Sequence, residues 1–234
     1  MGKAQAIRFG VSAANAALRV AFAPQCAACA SPLVSPIDGC VCPRCWAGVE
    51  PPPQVEWPSG VITNAAAGGD YIGSLRQIVH AFKYDGRRSL AAPLAELMRA
   101  QGRNILTDAA WVVPVPLHPW RRLRRGFNQA ADLARSLHLP AAAILWRRRL
   151  TPPQAGLTGA QRRRNVHKAF AVSPLASQRQ IAALRGTIVV LVDDVRTTGA
   201  TLHACAEVLA SIDVREVRAL TVAVRAHENS DPTP

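Results

Sequence analysis

The stretch Thr187 to Leu202, TIVVLVDDVRTTGATL, restricts the fold more than any other part of the chain. Thr187 to Val192 is an unbroken, mostly β-branched apolar run. Such a run suits a strand buried on both faces of a parallel sheet. Asp193 and Asp194 follow at its carboxyl end, where open α/β sheets receive their ligands. Arg196 to Thr201 is a hydroxyl-rich turn with one glycine. From Thr201 to Ile212, the residues Leu202, Cys205, Val208, Leu209 and Ile212 recur at helical spacing. The expected unit is strand, turn, helix.

The chemistry of such a unit follows from its backbone. A turn that opens a helix presents unpaired N–H groups and the positive end of the helix dipole. Thr197, Thr198 and Thr201 add hydroxyl donors, and Gly199 lets the main chain approach an anion closely. The loop is therefore expected to hold a phosphate. Two adjacent carboxylates would repel that phosphate, so they need sugar hydroxyls, a divalent cation, or both. Phosphate on one side and hydroxyls on the other describe a ribose 5-phosphate. The plainer alternative is a buried strand, an Asp cap and an ordinary helix start. Neither a G-x-x-x-x-G-K-[ST] nor a G-x-G-x-x-G motif occurs.

VVLVDDVRTTGATL resembles the diphosphoribosyl-binding signature of type I phosphoribosyltransferases. The resemblance implies that Asp193 and Asp194 hold the ribose 2- and 3-hydroxyls. It implies that Thr197, Thr198, Gly199, Ala200 and Thr201 cradle the 5-phosphate.

At 234 residues the chain has room for one α/β domain and an appendage, and its 49% apolar content supports a substantial core. Lys and Arg number 28 against 15 Asp and Glu, a formal charge of +13. That balance favours polyanions: nucleic acid, nucleotides, pyrophosphate or acidic membrane. With 5% aromatics, stacking platforms for single strands are few. No run of 18 apolar residues occurs, so no membrane span is expected.

The cysteines are Cys26, Cys29, Cys40, Cys42, Cys45 and Cys205. Cys26-Ala-Ala-Cys29 and Cys42-Pro-Arg-Cys45 are two C-x-x-C knuckles. They supply four thiolates for a tetrahedral structural Zn²⁺, the arrangement of a zinc ribbon. A redox pair or buried thiols are the alternatives. Cys40 is surplus and is a substitute for Cys42, but the spacing favours Cys42. Clustered thiols without an export signal read as a cytoplasmic protein.

Residues 1–23 have some features of an export signal, since Lys3 and Arg8 precede an apolar run and Ala21-Phe22-Ala23 resembles a cleavage site. Asn15 and Arg19 interrupt the run, so a short amphipathic helix is expected, with Ile7, Val11, Leu18 and Phe22 on one face. The ribbon then covers residues 24–50. Residues 51–60, with four prolines, read as a stiff linker. A larger domain spans 61–226, and 227–234 read as a disordered tail.

Within the larger domain a strand is expected near Ala65 and a helix over Ile72 to Phe82, ended by Gly86. Ser89 is a candidate cap for the next helix, with Leu90, Leu94, Leu97 and Met98 inward. Lys83, Arg87 and Arg88 flank the turn between these helices, either as a solvated basic turn or facing a ligand. Trp111 to Pro116 is a strand candidate with its prolines at the end. The loop after it holds Leu117, His118, Arg121, Arg122, Arg124 and Arg125. At the sheet's carboxyl edge it suits a second phosphate, against the alternative of a solvated run. Ala130 to Leu137 reads as a helix, Ala143 to Trp146 as a strand and Val217 to Val224 as the last strand. Arg147 to Phe170 carries six arginines, two prolines and two glycines, the composition of a lid over a polyphosphate or of a solvated loop.

The order of blocks widens the resemblance. C-x-x-C knuckles, KYDGR, VPVPLHPWRRLRRGFNQA, TPPQAGLTGAQRRRNV and VDDVRTTGATL together look like the ComF family. Membership implies a type I phosphoribosyltransferase-like α/β domain, a parallel sheet flanked by helices, behind a small N-terminal zinc ribbon. It implies a link to competence and DNA uptake. It implies 5-phosphoribosyl 1-diphosphate with Mg²⁺ as ligand, and loss of pyrophosphate from C1 through an oxocarbenium-like state. Leu117, His118, Arg121, Arg124 and Arg125 then belong to a pyrophosphate loop, and Gln154, Arg163, Arg164 and Asn165 to a flexible loop. Arg196 stands where relatives often carry an aliphatic residue, and either adds a phosphate contact or faces solvent. A second reading is a nucleic-acid-binding accessory that holds single-stranded DNA, or meets uptake and recombination proteins, through the ribbon and the basic loops. A third is a sensor of the ribosyl diphosphate.

Overall fold

The computed structural model describes residues 3–55, 57, 60–117, 123, 126–148 and 169–226, with side chains from Val11 onward. The chain divides into two units: residues 1–50 with 72–90, and residues 51–71 with 91–234.

The first unit begins with a 20-residue helix, α1 (Lys3–Phe22). Among the described side chains of the expected apolar stripe, Leu18 is half-buried and the others stay exposed. Phe22 is 75% exposed and Val11 40%, while Asn15 is buried and accepts a 3.0 Å hydrogen bond from the Ile37 N–H. A polar side chain satisfying a loop amide makes the contact that the periodicity assigned to aliphatic residues. The cysteine-bearing segment follows, with a bridge between Gln25 and Pro32 and a short helix, α2 (Pro43–Ala47), that starts on a proline. Next in this unit is α3 (Gly73–Tyr84), which buries Leu75, Ile78, Val79, Ala81 and Phe82 on one face. Gly86 is left-handed just past its end, at φ 65°. Ser89 belongs to a 3₁₀ turn, Arg88–Leu90, ahead of the following helix.

The second unit is built on a parallel sheet of four strands in the order β1-β6-β5-β2. In chain order its elements are β1 (Ile62–Asp70), α4 (Ala91–Gln101), α5 (Arg103–Leu106), β2 (Trp111–Pro114), α6 (Gln129–Arg135), β3 (Leu145–Arg147), β4 (Phe170–Val172), α7 (Gln178–Leu184), β5 (Ile188–Arg196), α8 (Ala200–Ala210) and β6 (Glu216–Val224). Every pairing in this sheet is parallel. β5 and β6 lie inside it, which accounts for their continuous apolar runs: Val189 to Val192 and Leu220 to Val224 are fully buried, or nearly so. One face packs on Leu184, Leu202, Cys205, Leu209, Ile144 and Phe170. The strand predicted over Ala143 to Trp146 forms, but outside this sheet. As β3 it pairs antiparallel with β4.

Backbone close to backbone fixes part of this packing. A Cβ on Gly68 of β1 would fall 2.7 Å from the Val222 carbonyl and 3.0 Å from Leu97 of α4. Only glycine lets β1 and α4 approach that closely. No helix among the described residues is long and apolar enough to cross a membrane.

Candidate functional sites: an acidic strand end and a cysteine cluster

β5 runs further than its apolar stretch. It continues through Asp193 and Asp194 to Arg196, held by pairing of Asp193 with Thr221 and of Arg196 with Val224. The carboxylates therefore stand on rigid strand at the sheet's carboxyl edge. Both are half-buried. The Asp194 N–H donates to Asp193 Oδ1 at 2.8 Å.

The turn after the strand closes within three residues. Gly199 adopts φ 73°, ψ −2° and opens α8, and the His203 N–H caps back to its carbonyl at 2.9 Å. The left-handed conformation is the one glycine accepts without cost. Ala200 N–H bonds Thr198 Oγ1 at 3.4 Å, so the threonine hydroxyl lies at the helix entrance. Thr197, Thr198 and Thr201 are half-buried, and Ala200 is buried. The fold thus brings together Asp193, Asp194 and residues 197–201 at one edge, with the first amides of α8 beside them.

Arg196 neither faces solvent nor is openly displayed. It is 3% exposed, and its guanidinium lies 4.9 Å from the centre of the Trp57 ring. Burial depresses its pKa, yet a guanidinium stays charged. Arg147 is another buried arginine, over the Phe170 ring at 5.3 Å. Burial, and then the charge of Asp193, push the Cys205 thiol up, while Arg147 pulls it down. No local signal marks Arg147 or Trp57, since the first lies in a general basic run and the second in a proline-rich spacer.

Leu117 is half-buried just past β2. His118, Arg121, Arg124 and Arg125, and all of Gln154, Arg163, Arg164 and Asn165, lie outside the described residues. Asn128 closes that loop: its side chain accepts from the Ala130 N–H at 3.1 Å as the cap of α6 and donates to the Val115 carbonyl at 3.2 Å.

In the first unit the sulfurs of Cys26, Cys29, Cys42 and Cys45 all lie within 4.8 Å of one another. Cys26 and Cys45 are 3.9 Å apart, Cys29 and Cys42 3.8 Å. A tetrahedron of thiolates with metal–sulfur bonds of 2.3 Å has edges of about 3.8 Å. The donor set therefore fits a divalent metal such as zinc. The amides of Ala28 and Cys42 donate to the Cys26 sulfur at 3.4 and 3.3 Å, as N–H groups around a metal-bound thiolate do. Burial opposes ionisation of Cys26, but the N–H groups of Cys42, Cys29 and Ala28 leave its pKa lowered. The Ser31 hydroxyl, and then its N–H, pull Cys29 down to about 6. Burial, followed by the neighbouring thiols, pushes Cys45 up. Cys40 stands outside the group, its sulfur 3.8 Å from the Ser89 hydroxyl.

The family model for the phosphoribosyl transferase domain matches residues 123–233. Competence protein F of Haemophilus influenzae is 33% identical over 162 residues, 64% of this chain and 68% of that protein. The DNA utilization protein YhgH of Salmonella typhimurium is 33% identical over 201 residues, 82% of this chain and 78% of that one. Competence protein ComFC of Bacillus subtilis is 27% identical over 140 residues, 59% and 55% of the two. Among solved structures, orotate phosphoribosyltransferase from Aeropyrum pernix superposes with a TM-score of 0.33 at 20% identity, over 64% of this chain and 76% of that one. An allosteric regulatory enzyme of purine biosynthesis reaches 0.39 at 17%, over 62% of this chain and 30% of that one. These structural likenesses are loose.

Proposed function

The chain belongs to the competence protein F family, and from that premise we propose that its second unit binds 5-phosphoribosyl 1-diphosphate with Mg²⁺ and transfers the phosphoribosyl group to an acceptor. The observation that carries the reading is the coincidence, at one sheet edge, of Asp193 and Asp194 with the left-handed Gly199 that opens α8. In this reading the two carboxylates accept hydrogen bonds from the ribose 2- and 3-hydroxyls. Thr197, Thr198, Gly199, Ala200 and Thr201 surround the 5-phosphate with amide and hydroxyl donors. Leu117, His118, Arg121, Arg124 and Arg125 receive the diphosphate, and Gln154, Arg163, Arg164 and Asn165 close over it. Carboxylate oxygens suit Mg²⁺, which would offset charge on the diphosphate. The bond from C1 to the diphosphate oxygen breaks, its electron pair leaves with pyrophosphate, and a lone pair of the acceptor forms the new bond. Orientation and electrostatics supply the acceleration, with no covalent enzyme intermediate. The four-cysteine group is read as a structural Zn²⁺ site. Its thiols fit a reducing compartment, so the reading places the protein in the cytoplasm.

Calorimetric titration with 5-phosphoribosyl 1-diphosphate and Mg²⁺ tests this. The parent protein is expected to bind, and the variant combining Asp193→Ala with Asp194→Ala is not. A parent protein that takes up none of the ligand ends the reading. Release of pyrophosphate on adding candidate acceptors tests the transfer.

A second reading, direct binding of single-stranded DNA, is favoured by the outer face of α3. Arg76, His80 and Tyr84 follow one another at four-residue steps, exposed, with the His80 and Tyr84 rings 4.7 Å apart. Lys83, Arg87 and Arg88 extend that stripe, against one carboxylate, Asp85. Exposed aromatic rings among cations suit a single strand, and two relatives are named for competence or DNA utilization. Its test is fluorescence anisotropy with a labelled oligonucleotide across a salt series. Substituting Arg87 and Arg88 by Ala should flatten the log–log slope by about 1.4, and an unchanged slope places any DNA elsewhere.

A further inference from the structure

Residues 51–60 read in the sequence as a spacer, yet two contacts tie part of that segment to the phosphate loop. Trp57 lies under Arg196, the residue immediately before the loop. Gly60 lies against His203, in the first turn of the helix immediately after it: a Cβ on Gly60 would fall 3.1 Å from His203 Cε1. Gly60 has φ 126°, a conformation that other residues rarely adopt. The segment therefore meets the loop at both of its ends. Trp57 is itself anchored, because it packs against the core cluster of the second unit.

We infer that Trp57 is a positioning residue: by stacking on Arg196 it holds a fixed positive charge beside Thr197 to Gly199 and so strengthens the grip on a sugar 5-phosphate. Indole is the best of the aromatic faces for a cation, and guanidinium, planar and weakly hydrated, is the cation that stacks. Arg196 is 3% exposed, and a charge taken out of water acts more strongly on a neighbouring anion than one in solvent. The stack fixes the guanidinium of a long side chain that would otherwise sample many rotamers. The ligand class is a sugar monophosphate carrying a dianionic group. The inference rests on the reading of residues 197–201 as a phosphate site.

Affinities for ribose 5-phosphate and for magnesium pyrophosphate, measured separately by calorimetry on the full chain, test it. Trp57→Leu and Arg196→Met are each expected to weaken ribose 5-phosphate roughly tenfold, between the worth of an exposed and of a desolvated cation–π contact. The double variant should lose little more than either alone, since the two act as a pair. Trp57→Phe, which keeps an aromatic face, should recover most of the loss, and magnesium pyrophosphate should bind all four variants as it binds the parent. Equal weakening of both ligands means that Trp57 supports the fold in general, and overturns the inference while leaving the functional reading intact. Unchanged ribose 5-phosphate binding in Trp57→Leu does the same. If Trp57→Leu does not fold, Arg196→Met and Trp57→Phe still decide: full affinity in Arg196→Met removes the proposed charge. A parent protein that binds no ribose 5-phosphate brings down the functional reading and the inference together.

Discussion

The backbone N–H of Asp194 donates a 2.8 Å hydrogen bond to Oδ1 of Asp193, so the first carboxylate is tied to the strand that carries it. The two acids are thereby unequal. Asp193→Asn removes the charge and keeps an oxygen for the amide, whereas Asp193→Ala removes both. Binding of 5-phosphoribosyl 1-diphosphate is expected to fall about tenfold in the first and about a hundredfold in the second, the range for hydrogen bonds to charged groups. Equal losses by calorimetry would show that the tie has no part in presenting the carboxylate.

The cysteine group should bring down about one zinc per chain, and Cys45→Ser should abolish it, because structural zinc needs all four ligands. Chelation should lower the melting transition of the first unit, since metal affinity in such a site is folding free energy. Metal should be released as pH falls, as protons compete for the thiolates. Metal analysis after dialysis at stepped pH checks this.

Gly68→Ala is expected to cost about 2 kcal/mol by urea denaturation, with the m-value unchanged. The added methyl meets the Val222 carbonyl, a backbone atom, and Leu97 of α4, so the packing of β1 against them must shift. A stability loss below about 0.5 kcal/mol would mean that this packing is looser than it looks.

Arg218 donates at 2.7 Å from Nε to Glu216 and at 2.6 Å from Nη1 to the Thr107 carbonyl past the end of α5. Through it, and then through Thr63, Glu216 is held below the ordinary carboxylate range. A depressed carboxyl pKa contributes stability above the unfolded value, about 4.3, that is lost as pH falls through the folded one. Arg218→Ala should therefore destabilise by about 1–2 kcal/mol at neutral pH. Its disadvantage should shrink in acid. Denaturation midpoints at pH 7 and pH 3 check the sign.

What the sequence disclosed depended on how local the cause was. The strand and helix around Asp193 were legible because an apolar run, an acidic pair and a glycine turn are adjacent in the chain. The cysteine group was legible for the same reason, each knuckle being four residues long. The 72–82 helix showed its buried face through period alone. The extension of β5 to Arg196 was not legible, since it depends on pairing with Thr221 and Val224 of β6. Nor was the pairing of Leu145–Arg147 with Phe170–Val172, which joins two three-residue segments too short to carry a pattern. Trp57 was concealed because composition labels a segment without saying what one ring within it touches. The helix α1 runs the other way: there the period was present, but Val11 and Phe22 stayed exposed.

The place of β6 between β1 and β5 has a consequence for synthesis. β1 emerges early from the ribosome, but its only sheet neighbour among the described strands is the one made last. Until residues 216–224 clear the exit tunnel, the edge of β1 that they will fill stays open to foreign strands.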